Sequence, residues 1–195
     1  MNLLFHMYLS GNDHEVLVGN LMGDFVKGPL GDNYPPRIHL GLILHRKIDT
    51  FAQKNVIFQT SRLRLSPHYG LYRGVLVDIF YDHFLAVGWD SWSDSSFPDY
   101  IAWARDIAER HLTIMPQQLQ GFVPVIFNDL LPSYKRTAGI ESALKRMSGR
   151  IKRPNPLAEG GAELTINYQE LKKDFEQFMI EARQFSADVV RNGIV

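Results

Sequence analysis

His45 and Asp49 stand four residues apart in "RIHLGLILHRKIDTFAQK", and Asp78 and Asp82 repeat that spacing in "VLVDIFYDHFLAVGW". On a helix, side chains four apart point the same way. Both pairs fall on faces that otherwise read as core. Ile38, Leu42 and Ala52 share the stripe of His45 and Asp49, whereas Arg46 points to the flank with Gln53. The second segment is apolar all round except for Asp78, Asp82 and His83. In "NDHEVLVGNLMGDFV", Asp24 shares a stripe with Leu17 and Leu21. An uncompensated buried carboxylate costs several kcal/mol. Four of them would rival the ~5–15 kcal/mol by which a domain is stable at all. The nearby cations Arg46, Lys47 and Arg73 are few, so a divalent cation shared by the carboxylates and imidazoles is the economical compensation. Asp24, His45, Asp49, Asp78 and Asp82 are the expected metal ligands. Oxygen-rich ligands with one or two imidazoles suit Mn²⁺ or Mg²⁺, and are compatible with Fe²⁺ or Zn²⁺. Such a centre hydrolyses: it lowers the pKa of a bound water and offsets charge on a phosphoryl oxygen.

These residues need helices to hold them, and helical periodicity dominates the chain while strand alternation is scarce. The pattern predicts helices over 2–10, from an Asn12/Glu15 capping box to about 26, over 36–54 and over 55–65. It continues with a helix begun by Ser66 and Pro67 and ending near Gly88. Further helices are expected at about 98–114, 117–131, 138–150 and 163–191. The result is an all-α single domain of about seven to nine helices spanning the whole chain.

The 195 residues carry 21 Lys plus Arg against 21 Asp plus Glu, so global charge does not recruit nucleic acid or another polyanion. The absence of cysteine excludes disulfides, thiolate metal sites and a cysteine nucleophile. No apolar run approaches the ~20 residues that span a bilayer, and "MNLLFHMYLSGNDHE" makes a poor signal peptide. A cytoplasmic protein without a membrane partner is the expectation. With no GxxxxGK[ST] loop, nucleotide-driven transfer has no support.

Four stretches, "MNLLFH", "GNLMGDFVKG", "HRKID" and "DIFYDHFL", occur in the order seen in the acyl carrier protein phosphodiesterases. The chain resembles that family over most of its length. The family in turn is similar to the HD metal-dependent phosphohydrolases, as an outlying branch. The resemblance implies an HD-domain-like helical fold and removal of the 4′-phosphopantetheine arm from holo-acyl carrier protein, with Mn²⁺ as cofactor. It implies that Asp24, His45, Asp49, Asp78, Asp82 and His83 form the metal centre and its surroundings, with His6 as an addition. Two departures stand out. The His-Asp pair that names the superfamily is here Asp82-His83, and Phe5 stands where the N-terminal motif has Ala.

The expected mechanism has a metal-activated water attacking phosphorus, with Arg46 offsetting transition-state charge and His83 or His6 protonating the leaving oxygen. Lys27, Lys47, Arg150, Lys152 and Arg153 are expected to meet the acidic carrier. A nucleotide or other small phosphodiester is the rival substrate. A non-catalytic binding module with paired Asp and His residues is the rival class.

Overall fold

A computed structural model of the chain describes residues 1–31 and 33–193. Among these the regular structure is helical throughout, with no strand and about ten helices. The first, α1 (Leu3–Tyr8), is shorter than expected and almost wholly buried. Next, α2 (His14–Met22) starts one residue later than the capping-box reading placed it. Asp13, not Asn12, is the cap: its carboxylate accepts from the Val16 N–H at 3.0 Å and also holds Arg37. A 3₁₀ turn, Gly23–Phe25, comes next.

α3 (Pro36–Lys54) and α4 (Val56–Arg64) lie where the pattern put them, the second capped by Asn55. Ser66 does act as a cap, but of a 3₁₀ segment, Pro67–Tyr72. Gly70, at φ 48° and ψ −123°, breaks the path there, so α5 (Arg73–Val87) begins only at Arg73. After α6 (Phe97–Arg110), the expected 117–131 helix is instead a chain of short pieces containing a π-helical turn, Ile126–Leu130. Pro124 and Pro132 explain this. Each removes a backbone donor and crowds the carbonyl four residues back, and a wider turn absorbs the misfit. Two long helices close the chain: α7 (Thr137–Arg150) and α8 (Tyr168–Asn192). The expected 163–191 helix is split at Asn167, and Gly161–Ile166 forms its own short helix.

Two features position everything else. First, α2 and α3 touch backbone to backbone. A Cβ on Gly19 would lie 2.0 Å from the Ile38 carbonyl oxygen, and one on Gly41 would lie 2.3 Å from that of Val16. Only glycine lets the helices approach this closely. Gly41→Ala is therefore expected to cost about 1–3 kcal/mol by forcing the pair apart. Gly149→Ala on α7, where nothing lies within 4 Å, should be neutral or add up to about 1 kcal/mol. Urea denaturation of both variants measures the contrast.

Second, α1 is clasped by α5 and α8. Phe5 meets Phe175 and Phe178 at 6.4 and 5.7 Å, and Tyr81 meets the same two rings at 5.5 and 5.3 Å. Beside that aromatic core, the Tyr81 hydroxyl, Ser61, buried Asp174 and Arg64 form a hydrogen-bonded chain that ties α4 and α5 to α8. Arg64 grips Asp174 with two N–H groups, so the carboxylate is buried with its charge matched.

Candidate metal centre

At the end of α2 and along α3, the sequence converges on one small volume. The "GNLMGD" stretch supplies three separate devices. Gly19 allows the helix crossing. Asn20 donates its amide to the His6 carbonyl at 2.7 Å and to Ser10 Oγ at 3.0 Å, holding α1 against α2. Gly23 leaves room for an imidazole, because a Cβ there would stand 2.0 Å from His45 Cγ.

His45 fills that room. Its Nδ1 is 2.8 Å from the Asn20 carbonyl oxygen, an atom that can only accept. Nδ1 therefore carries a proton, and Nε2 is the atom turned toward the carboxylates. That Nε2 lies 3.5 Å from Asp49 Oδ2 and 3.6 Å from Asp24 Oδ1. His6, from α1, stacks on His45 with ring centroids 3.7 Å apart and planes 11° from parallel. Its Nε2 is 3.2 Å from Asp49 Oδ1, yet neither ring nitrogen has a hydrogen-bond partner among the described residues. Burial, reinforced by the neighbouring His45 ring, pushes the His6 pKa down to about 4. His6 is thus a buried imidazole whose burial disfavours its charged form and whose Nε2 faces the Asp49 carboxylate without a regular hydrogen bond. A protein interior does not leave such a group idle without cost.

The carboxylates respond to this setting. Burial pulls the Asp49 pKa upward, but contact with His6 and the Met1 ammonium outweighs it and holds the carboxyl well below the usual range. Asp24 is lowered too, the pull of His45 overcoming burial. Its side chain is 59% exposed, so it marks the solvent rim of the group. The Met1 ammonium lies 2.7 Å from Asp49 and 3.4 Å from Asp78. Although burial opposes its charge, Asp78 and Asp49 raise its pKa to about 10. Burial raises Asp78 itself, against the pull of the same ammonium.

One ligand atom each from His6, His45 and Asp49 falls within 4.8 Å of the others. Two imidazoles and a carboxylate are a fitting donor set for a divalent cation. The unpartnered His6 nitrogens and the backbone-fixed His45 tautomer are what such an ion requires. Asp24, Asp49 and Asp78 also line a cavity of about 560 Å³, which gives the group an open side.

The other expected site residues lie elsewhere. Asp82 is fully buried and has both oxygens engaged, accepting from the Leu4 N–H at 3.0 Å and the Phe5 N–H at 2.9 Å. It caps α1 from the side instead of joining the group, and burial, against those two bonds, pushes its pKa up to about 7. His83 donates Nδ1–H to the Tyr134 carbonyl at 2.7 Å, and its Nε2 accepts from the Tyr168 hydroxyl at 3.1 Å. Both its nitrogens are satisfied away from the cavity. Arg46 donates to the carbonyls of Gly28 at 2.6 Å and Val26 at 3.3 Å, pinning the segment after Asp24. Reasoning from helix faces missed Arg62, which borders the cavity.

A family model described as "Acyl carrier protein phosphodiesterase" matches residues 1–182. Curated relatives of that name include one from Yersinia pestis, 30% identical over 182 residues that cover 91% of this chain and 93% of the relative. Another, from Yersinia enterocolitica serotype O:8, is 29% identical over 180 residues with the same coverage. One from Escherichia coli O6:H1 is 29% identical over 192 residues, again covering 91% and 93%. No solved structure matches the chain.

Proposed function

The chain belongs to the acyl carrier protein phosphodiesterase family, and from that premise we propose that it is a metal-dependent phosphodiesterase that frees 4′-phosphopantetheine from holo-acyl carrier protein. The scissile bond is the phosphodiester to the carrier's serine, and apo-carrier is the product. One observation carries the metal dependence: His6, His45 and Asp49 bring a ligand atom each within 4.8 Å of the others, Asp49 opens onto the cavity, and buried His6 has no hydrogen-bond partner on either ring nitrogen among the described residues.

His6, His45 and Asp49 would hold the ion, and Asp24 and Asp78, which line the same cavity as Asp49, would be available as further oxygen donors. Mn²⁺ is the first candidate, with Mg²⁺ or Fe²⁺ as alternatives. When bound, such an ion makes water acidic enough to attack at neutral pH and offsets charge on the phosphoryl oxygens. The chain's own residues do the rest. Asn20 fixes the His45 tautomer through its carbonyl, and Gly23 gives the ring its place. His6, whose burial disfavours its charged form, acts as a neutral ligand. Exposed Lys27, Lys47, Lys152 and Arg153 provide positive charge for an acidic carrier.

Chelator-stripped protein should convert no holo-carrier to apo-carrier, read by mass, and Mn²⁺ should restore the conversion. Added Mn²⁺ should also raise the melting temperature of the stripped protein, because the ion binds only the folded state. Turnover that survives complete stripping overturns the reading. Turnover of aryl phosphodiesters with none on holo-carrier would keep the chemistry and replace the substrate.

A further inference from the structure

We propose that Arg62 grips the phosphate of the substrate phosphodiester in the cavity it lines with Asp24, Asp49 and Asp78, an assignment that rests on the function proposed above. Arg62 lies on α4 and is half-buried. It lines the 560 Å³ cavity together with Asp24, Asp49 and Asp78, and it is the one guanidinium among the described lining residues.

Its own hydrogen bonding is incomplete. One terminal nitrogen donates to Gln59 Oε1 at 3.0 Å, while the buried Nε has no partner. Among the described residues no carboxylate lies within ion-pairing distance of it. Two positions on, Arg64 points to the other side of α4 and spends its charge on Asp174. The helix thus carries two arginines, one neutralised inside the fold and one left with unspent donors at the cavity.

The charge of the cavity explains why such a group is needed. Three carboxylates line the cavity, and the Met1 ammonium together with a single divalent ion only cancels their charge, which leaves no net attraction for an incoming phosphodiester anion. A guanidinium in the same cavity offers parallel N–H groups that match two phosphoryl oxygens at once. It would bind the non-bridging oxygens and leave the bridging oxygen to the serine free to depart.

The test compares Arg62→Gln and Arg62→Lys with the unaltered protein, each loaded with Mn²⁺. Calorimetry measures the affinity for 4′-phosphopantetheine and for pantetheine, which lacks the phosphate. The unaltered protein should prefer the phosphorylated ligand, and Arg62→Gln should lose about tenfold or more of that preference. The kcat/KM for holo-carrier should fall about 10²-fold, with Arg62→Lys recovering part of both losses. Mn²⁺ affinity should stay within about threefold, since Arg62 holds no metal.

A merely structural role would weaken both ligands alike and would not be rescued by lysine, and that pattern overturns the proposal. So does an unchanged phosphate preference in Arg62→Gln. Asp49→Ala, measured in parallel, separates the two readings. If Asp49→Ala is inactive while Arg62→Gln is normal, only the arginine assignment fails. If Asp49→Ala also binds Mn²⁺ and turns over normally, the metal-centre reading fails and takes the arginine with it.

Discussion

His45→Ala should lose Mn²⁺ binding and depress kcat/KM for holo-carrier by about 10³-fold or more. The ring is held at three points. Asn20 takes its Nδ1–H, Gly23 vacates the space beneath it, and His6 lies parallel on its other face. Together they aim Nε2 at the gap between Asp49 and Asp24. Alanine removes a ligand and strands the stacked partner, while helix α3 keeps its apolar stripe, so the variant should still fold. His83→Ala is the matched comparison. That imidazole bonds Tyr134 and Tyr168, and its loss should leave Mn²⁺ affinity within about threefold. Titration of both stripped variants with Mn²⁺, followed by the carrier assay, decides the point. A His45→Ala protein with undiminished Mn²⁺ response would refute the site.

Asp82→Ala is expected to cost about 3–5 kcal/mol of folding free energy, among the largest single-site losses in this chain. Asn2 contributes no side-chain cap to α1, and the Leu4 and Phe5 N–H groups have Asp82 as their acceptor. Alanine leaves both donors dry inside the core beside a new void. Because α1 carries His6, metal affinity should fall as well. Asp82 also has a signature in pH. Its folded pKa, about 7, stands above its ordinary 3.8. The folded state therefore holds the proton more tightly than the unfolded chain. That contribution to stability is complete below pH ~4 and disappears as pH rises through ~7, a swing of about 4 kcal/mol as an order of magnitude. Asn cannot titrate, and its amide presents a donor to one of the two N–H groups, so Asp82→Asn is weaker at low pH. The stability gap between the two proteins should narrow as pH climbs from 4 to 7, measured by urea unfolding of the stripped proteins. A gap that stays constant would show that Asp82 keeps an ordinary pKa in the fold.

Much of the centre was legible from spacing. The i, i+4 relation of His45 and Asp49 on an apolar stripe is a statement about helix geometry, and it survives small errors in helix limits. Asp24 was legible for the same reason, although the helix ends two residues before it. Asp82 shares the face of Asp78 but serves a different end. Periodicity gives a side chain's direction and not the identity of the group it meets there, and a pattern that places a helix over 2–10 does not show that the helix lacks a cap. His6 sat in too short a segment to phase, so its stacking on His45 could not be foreseen. Arg62 and Arg64 stand two residues apart on the same helix. Their separate fates follow from Asp174, 110 residues downstream of Arg64, and no local rule connects them.

The backbone contact between α2 and α3 also bears on how this chain can drift. Main-chain atoms around Gly19 and Gly41, rather than any fitted pair of side chains, set the spacing from Asp24 to His45. Exchanges among the surrounding leucines and phenylalanines would then alter melting behaviour without detuning the ion's surroundings. Gly19, Gly41 and Gly23 lie outside that tolerance, since a Cβ on any of them would collide with main chain or with the His45 ring.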